Sequence, residues 1–348
     1  MVRVGIIGLG GVAGIHLEGF AAAGAEIAAI CDVDSKRLAE RAAAFPDARP
    51  STSLDELLED ETLDAVSVCT PNAFHGPATL AALAAGKHVY CEKPVSLSLV
   101  EGEAMVSAAR SAGLLLQVGH HLRCNPFAEK ARELIQAGAI GRVCFVWLRQ
   151  AHDWGGGSVR GAFGSKAVSG GGTLLDNGCH LMDLARFLGG DVQDVFARVA
   201  TLGHPVEVED TTLVSLAFES GALGSVENAW TATGWEEAFR VFGTRGSLRY
   251  TNRSQTLELL HEHRGGGSES WPEPDSTRYR FARPNAHAEA TRRFVRAVQA
   301  RKDGLDDVRV PCTGSDGLEA VRLVLAAYRS AETGRAVRPQ ELAGQPAD

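Results

Sequence analysis

"RVGIIGLGGVAGIHLEGF", residues 3–20, is the stretch on which the fold turns. Five residues dense in β-branched side chains read as a short strand, a glycine-rich turn follows, and an apolar-rich run then reads as a helix. Gly8, Gly10 and Ala13 have the spacing GxGxxA, and each position has a mechanical reason. Gly8 permits a tight turn, Gly10 leaves room for a pyrophosphate, and the small Ala13 lets helix and strand approach closely. The first helical amides, those of Gly11 and Val12 among them, would face the phosphates. A glycine-rich turn without a ligand is the alternative, and the surrounding sequence has to decide between them.

Two features of that context favour a dinucleotide. The second strand, "EIAAICD" (26–32), ends in Asp32, where a carboxylate accepts bonds from adenosine ribose hydroxyls and repels a 2′-phosphate. NAD is therefore the expected cofactor. Lys36 and Arg37 stand close enough to keep NADP open, although two solvated helix residues are the simpler reading, and Asp34 reads as the N-cap of their helix. Further short β-rich runs, "LDAVSVCT" (63–70), "KHVYCEK" (87–93) and "LLLQVGH" (114–120), alternate with helical patterns. Apolar strands joined by helices imply a parallel sheet covered on both faces. The expected fold class is α/β, with an N-terminal doubly wound Rossmann domain over residues 1–123.

Residues 124–348 have a different rhythm. After the helical "PFAEKARELIQAGAIG", β-like segments follow one another at 142–151, 192–202, 211–219, 222–232, 237–251 and 256–263, interrupted by the helical "GTLLDNGCHLMDLARFLGG". Strands without crossover helices predict an α+β domain with a mostly antiparallel, open sheet. Residues 264–284 read as a loop, helices at 285–303 and 315–333 should pack back on the body, and the last dozen residues read as mobile.

With 348 residues and a formal charge of −8, the chain lacks the overall basic balance expected of a nucleic-acid or anionic-membrane binder. Seven cysteines, an odd number without a CxxC pair, read as reduced thiols in a cytoplasmic protein. No run approaches the ~18 apolar residues of a membrane span.

Three clusters carry candidate chemistry. "CTPNAFH" (69–75) and "CEKP" (91–94) fall at strand ends, where the crevice of a doubly wound sheet opens. A Pro turn and a snorkelling lysine are their structural alternatives. In the third, Asp176 and His180 are four residues apart and share a helix face, with Asp183 nearby. A histidine beside a carboxylate suits a general base, while a capped helix with a satisfied histidine is equally compatible. Asp176, His180 and Asp183 as metal ligands lack a partner cluster, and His261 and His263 in "HEH" could only assist, so no metal is expected.

GxGxxAxxH (Gly8, Gly10, Ala13, His16), Asp32, "TPNAFH", "EKP" and "GGGTLLDNGCHLMDLARFLGG", in this order, resemble the Gfo/Idh/MocA family of nicotinamide-dependent oxidoreductases. The resemblance runs from residue 2 to the closing "AVRLVLAAYRSAETGRAVRP". It implies a substrate- and oligomer-forming second domain, a homodimer or homotetramer joined through the large sheet, and sugars or cyclitols as substrates. It also implies that Lys93, Asp176 and His180 are catalytic and that Pro94 follows the lysine in a cis-like turn. Thr70, Pro71, Asn72, His75, Glu92 and Lys93 would line the nicotinamide side. "GHHLRCNPF" (119–127) matches a substrate segment in which His120 and His121 depart from the commonest pattern, and Arg123 is its candidate contact. His152, Trp154 and Asn177 are further substrate candidates, with Asp153, Arg160 and Lys166 near them. A lysine removed from water beside a cationic nicotinamide should have a lowered pKa. The expected reaction is hydride transfer from a secondary hydroxyl to NAD, with myo-inositol the leading substrate. Alternatives are an enzyme that uses NAD without net redox change, such as a glycosidase or sugar–sugar oxidoreductase, and a nucleotide-sensing regulator.

Overall fold

The computed structural model describes residues 1–154, 159, 161–261, 275–282, 285–305 and 308–342. Strands β1 (Arg3–Ile7), β2 (Glu26–Cys31), β3 (Arg49–Ser51), β4 (Ala65–Val68), β5 (His88–Cys91) and β6 (Leu116–Val118) form one sheet ordered β3-β2-β1-β4-β5-β6. Every pairing in it is parallel. All four residues of β4 are buried, as a sheet covered on both faces requires. Strand order reverses between β1 and β4, so a crevice opens beyond their carboxyl ends.

The second sheet contains β7 (Val143–Asp153), β8 (Val192–Ala200), β9 (Thr211–Phe218), β10 (Leu223–Ala229), β11 (Thr231–Gly243), β12 (Gly246–Thr251), β13 (Thr256–His261) and β14 (Ser276–Tyr279). Their order is β14-β13-β12-β11-β7-β10-β9-β8, antiparallel except where β7 runs parallel to β10. The segment 237–251, expected as one strand, is a hairpin, because Gly243 pairs with Gly246 around the two-residue turn Thr244 and Arg245. β14 lies inside the stretch expected to be a loop, where Thr277 and Tyr279 pair with Leu259 and Leu257. Residues 343–348, part of the expected mobile tail, lie outside the described ones.

Side chains alternate along the second sheet. Val146, Leu148, Val226, Phe239 and Val241 face a layer of helices and share one core with Leu181, Met182 and Leu188 of the Cys179–Gly189 helix. Each such residue, fully buried, contributes about 1.5–3 kcal/mol. The Gly314–Thr333 helix starts from a Thr313/Asp316 capping box and joins the two halves: Leu318 and Val321 enter the Rossmann core, Leu323 and Val324 the core of the second sheet. The Ala286–Lys302 helix packs on Gly11–Ala22, where a Cβ on Gly19 would lie 2.9 Å from the Thr291 hydroxyl.

Candidate active site

A cleft of about 640 Å³ runs along the carboxyl ends of the parallel strands. Gly8, Gly10, Gly11, Val12 and Asp32 line one end, Thr70, Pro71, Asn72 and His75 the middle, and Glu92, Lys93 and Asp176 the other. Gly8 has φ +84°, and a Cβ there would stand 2.7 Å from the Thr70 amide nitrogen, so both conformation and space demand glycine. Gly10 and Gly11 face open space at the start of the Gly11–Ala22 helix, with Ala13 fully buried behind them. A pyrophosphate fits such a cradle. Asp32 is held by amide donors from Leu9 (2.7 Å) and Asp34 (2.8 Å) and by the Arg37 guanidinium (3.1 Å). Burial works against its charge, but these donors and Arg37 bring its pKa below the usual carboxylate range. Asp34 caps its helix by accepting from Lys36 and Arg37.

The central strand ends are braced to one another. The His75 ring meets the Pro94 carbonyl at 2.6 Å through Nδ1 and the Thr70 carbonyl at 2.9 Å through Nε2, and burial pulls its pKa down. Asn72 donates to the Ser169 carbonyl (2.8 Å), which joins the Rossmann side to the second domain. Thr70, which lines the cleft, has its Oγ1 buried without a hydrogen-bond partner among the described residues. The Glu92 side chain turns to His16 Nε2 (2.8 Å) and accepts the Lys93 amide (3.1 Å). The Lys93–Pro94 peptide bond is cis.

Lys93 Nζ donates to Asp176 Oδ1 at 2.6 Å and to the Asp176 carbonyl at 3.0 Å. Burial disfavours the ammonium, yet Asp176 outweighs it, and the Lys93 pKa lies above its ordinary value rather than below. The sequence did not show that a carboxylate would pair with the lysine, and this pairing opposes the lowering expected beside a cationic nicotinamide. Asp176 lies in a π-helical turn, Leu174–Gly178, that leads into the Cys179–Gly189 helix. Glu209 sets the start of this turn, accepting the Gly172 amide (3.0 Å), the Leu174 amide (2.9 Å) and the Tyr328 hydroxyl (2.8 Å). A Cβ on Gly172 would stand 1.8 Å from the Glu209 carbonyl oxygen, which explains part of the glycine run.

His180 is 5% exposed and its Nδ1 has no hydrogen-bond partner among the described residues. His120 and His121 pack against it edge-on, with ring centroids at 5.4 and 4.7 Å, and His287 stacks on His121 at 3.5 Å. Burial first, then Lys93 and the neighbouring imidazoles, push His180 well below its ordinary pKa. It is therefore a neutral base near pH 7.

Residues 2–120 match an oxidoreductase family with an NAD-binding Rossmann fold, and residues 128–249 match the GFO/IDH/MocA C-terminal domain. The chain belongs to the Gfo/Idh/MocA family. It is 31% identical to a myo-inositol 2-dehydrogenase of Thermotoga maritima, over 99% of this chain and 100% of that one. It is 32% identical to a 1,5-anhydro-D-fructose reductase of Ensifer adhaerens, covering 97% and 98%. Among solved structures, levoglucosan dehydrogenase in complex with NADH and levoglucosan superposes with a TM-score of 0.85 at 25% identity, over 97% of this chain and 99% of that one. The protein is an NAD-dependent oxidoreductase.

The family motifs converge in space, but not every candidate meets the cleft. Arg123 is drawn away into a bidentate pair with Asp183 (2.7 Å for each bond) and a contact with Asp316 (3.1 Å). Asp183 is thus a structural anchor, and with Asp176 paired to Lys93 the three-residue metal set is dissolved. Among the described residues no group of three or more His, Cys, Asp or Glu side chains could hold a metal. His152 is buried and bonds Asn177 Nδ2 (2.9 Å), and Trp154 stacks on Trp230 at 5.3 Å. Asp153 and Lys166 are exposed. Arg160 and His263 lie outside the described residues; His261 meets Thr277 (2.9 Å). The sequence reading missed His287 and Glu209, which come to the site from far along the chain without a local pattern. Among the described residues no helix is long and apolar enough to cross a membrane, and all seven cysteines are free, six of them buried.

Asp32 gives a direct test of the nucleotide end. With Asp32 as the expected ribose acceptor, Asp32→Ala, which leaves Arg37 only Asp34 at 3.4 Å, should weaken NADH binding about tenfold and strengthen NADPH binding, as titrated by nucleotide fluorescence. Equal effects on both nucleotides would place Asp32 outside the ribose site.

Proposed function

We propose that this oxidoreductase oxidises a secondary hydroxyl of an uncharged sugar or cyclitol, with myo-inositol the leading candidate. The observation that carries the reading is that Lys93 and Asp176 pair at the cleft end opposite the glycine turn, with His180 near enough for the Lys93 charge to act on it. Bound NAD supplies the hydride acceptor there. His180 takes the hydroxyl proton at Nε2, Lys93 holds the oxygen as negative charge develops, and Asp176 aims Lys93. An uncharged substrate is favoured because Arg123 is committed to two carboxylates and Lys93 to one. The names of the relatives, an inositol dehydrogenase and a sugar reductase, point the same way.

The test is the appearance of reduced-nicotinamide absorbance with NAD across inositols, aldoses, aminosugars and glycosides. Turnover within one class supports the reading. NAD binding with no turnover across the panel moves the weight to redox cycling without net change. With an active substrate, kcat/KM should stay level around neutral pH, and its acid limb should fall below pH 6.5, the ordinary histidine value that burial pushes down. A fall centred above 6.5 would remove His180 from the base role.

The outer face of the second sheet carries exposed Leu213 (50%), Leu223 (56%) and Phe242 (41%). Apolar surface of this kind supports a homodimer or homotetramer formed through that sheet. Light scattering should give a multiple of 36.8 kDa, and a monomer at micromolar concentration would rule the assembly out.

A further inference from the structure

The inner face of the second sheet is apolar for two rows and then changes. Val146 pairs with Val241, and Leu148 with Phe239 and Val226. The next row is Asn228, Gln150 and Glu237, side by side on β10, β7 and β11. Beyond it His152 pairs with Trp235, whose rings stack at 4.6 Å and of which Trp235 is 49% exposed. His152 is the residue bonded to Asn177, one position from Asp176, so this polar row borders the proposed active site.

Gln150 and Asn228 are 3% and 2% exposed, and the side-chain oxygen of each has no hydrogen-bond partner among the described residues. Their amide nitrogens are used: Gln150 Nε2 donates to Glu237 Oε2 (3.3 Å) and Asn228 Nδ2 to Thr212 Oγ1 (3.2 Å). What remains is therefore acceptors. Burial raises the Glu237 pKa to about 7, with only Gln150 opposing the shift, and Glu237 also acts on the Tyr250 hydroxyl, which Asn125 bonds at the end of the turn that carries His121. Buried acceptors without donors are destabilising, and a donor-rich ligand would relieve that cost.

We infer that Glu237 and Gln150 form an acceptor pair that binds hydrogen-bond-donating substituents, hydroxyl or amino, on the part of the substrate ring remote from the reacting carbon. This rests on the proposed sugar or cyclitol substrate and names the residues that select it. A ring held by its distal hydroxyls at β7 and β11 presents its other edge to Lys93 and His180.

The experiment titrates the full-length protein, saturated with NADH, with myo-inositol, D-glucose and D-glucosamine by calorimetry. Glu237→Leu should weaken binding of every ligand that the wild type holds by about tenfold or more, with the NADH dissociation constant unchanged. Glu237→Gln keeps an acceptor oxygen and should restore the hydroxylated ligands, while losing any preference for glucosamine over glucose. Glu237→Leu binding these ligands as the wild type does, or weakening NADH equally, overturns the inference and leaves the proposed function standing. A wild-type NADH complex that binds none of the three overturns it together with the proposed substrate class.

Discussion

Lys93→Ala is expected to lower kcat/KM by about 10³-fold while leaving NADH affinity nearly unchanged. The ammonium sits 2.6 Å from Asp176 at the far end of the cleft from the glycine turn, and its charge is secured by that carboxylate. Its loss removes the donor that would hold the reacting oxygen, an interaction that strengthens as charge develops. Such a loss should appear mainly in kcat. Truncation also leaves the Asp176 carboxylate, 11% exposed, without its partner, and breaking a buried pair costs about 3–5 kcal/mol. Lys93→Met with Asp176→Leu separates the two effects: the double variant should regain thermal stability over Lys93→Ala and stay inactive. Recovery of activity with stability would show that the lysine supports the fold and not the chemistry. Loss of NADH binding in Lys93→Ala would lead to the same conclusion.

The parallel sheet was legible because local features carried it: apolar runs of strand length, glycine turns and an acid at the end of β2. The pairing of Lys93 with Asp176 was not, since 83 residues separate them and no local pattern encodes which carboxylate reaches the lysine. The helix periodicity placed Asp176 and His180 on one face, but a π turn intervenes, and the carboxylate bonds the lysine while the imidazole packs among His120 and His121. Arg123 shows the complementary limit. A cation in a substrate-like segment reads as a ligand contact until Asp183 and Asp316 are seen to hold it. The hairpin at Gly243 and Gly246 was hidden for another reason, because its turn contains Thr and Arg where Asn-Gly would have announced it.

His16 and Glu92 yield the second large effect, on stability. Both side chains are buried, 2% and 7% exposed, and join at 2.8 Å, with Ser67 Oγ at 2.8 Å from the other ring nitrogen. Burial opposes both charges. Cys69 and Glu92 nevertheless raise His16 from 6.5 to about 10, while His16 and Lys93 draw Glu92 below its ordinary 4.5. For the raised group, the stabilisation is complete below pH 6.5 and lost as pH rises through about 10; for the depressed carboxylate, it is complete above pH 4.5 and lost only in stronger acid. Stability should therefore be greatest between pH 4.5 and 6.5 and decline towards pH 10, with a flatter decline in His16→Leu. Glu92→Gln, which leaves a buried imidazolium without its counter-charge, should cost about 3–5 kcal/mol in urea unfolding at pH 6. An unchanged midpoint at that pH would mean that His16 is neutral and the contact an ordinary hydrogen bond. The pair also reaches the chemistry, because Glu92 Oε2 accepts the Lys93 amide at 3.1 Å. An uncharged His16 at high pH would loosen the carboxylate that steadies the backbone of Lys93. The alkaline loss of stability and any alkaline loss of turnover should then share one midpoint, and both should shift together in Glu92→Gln.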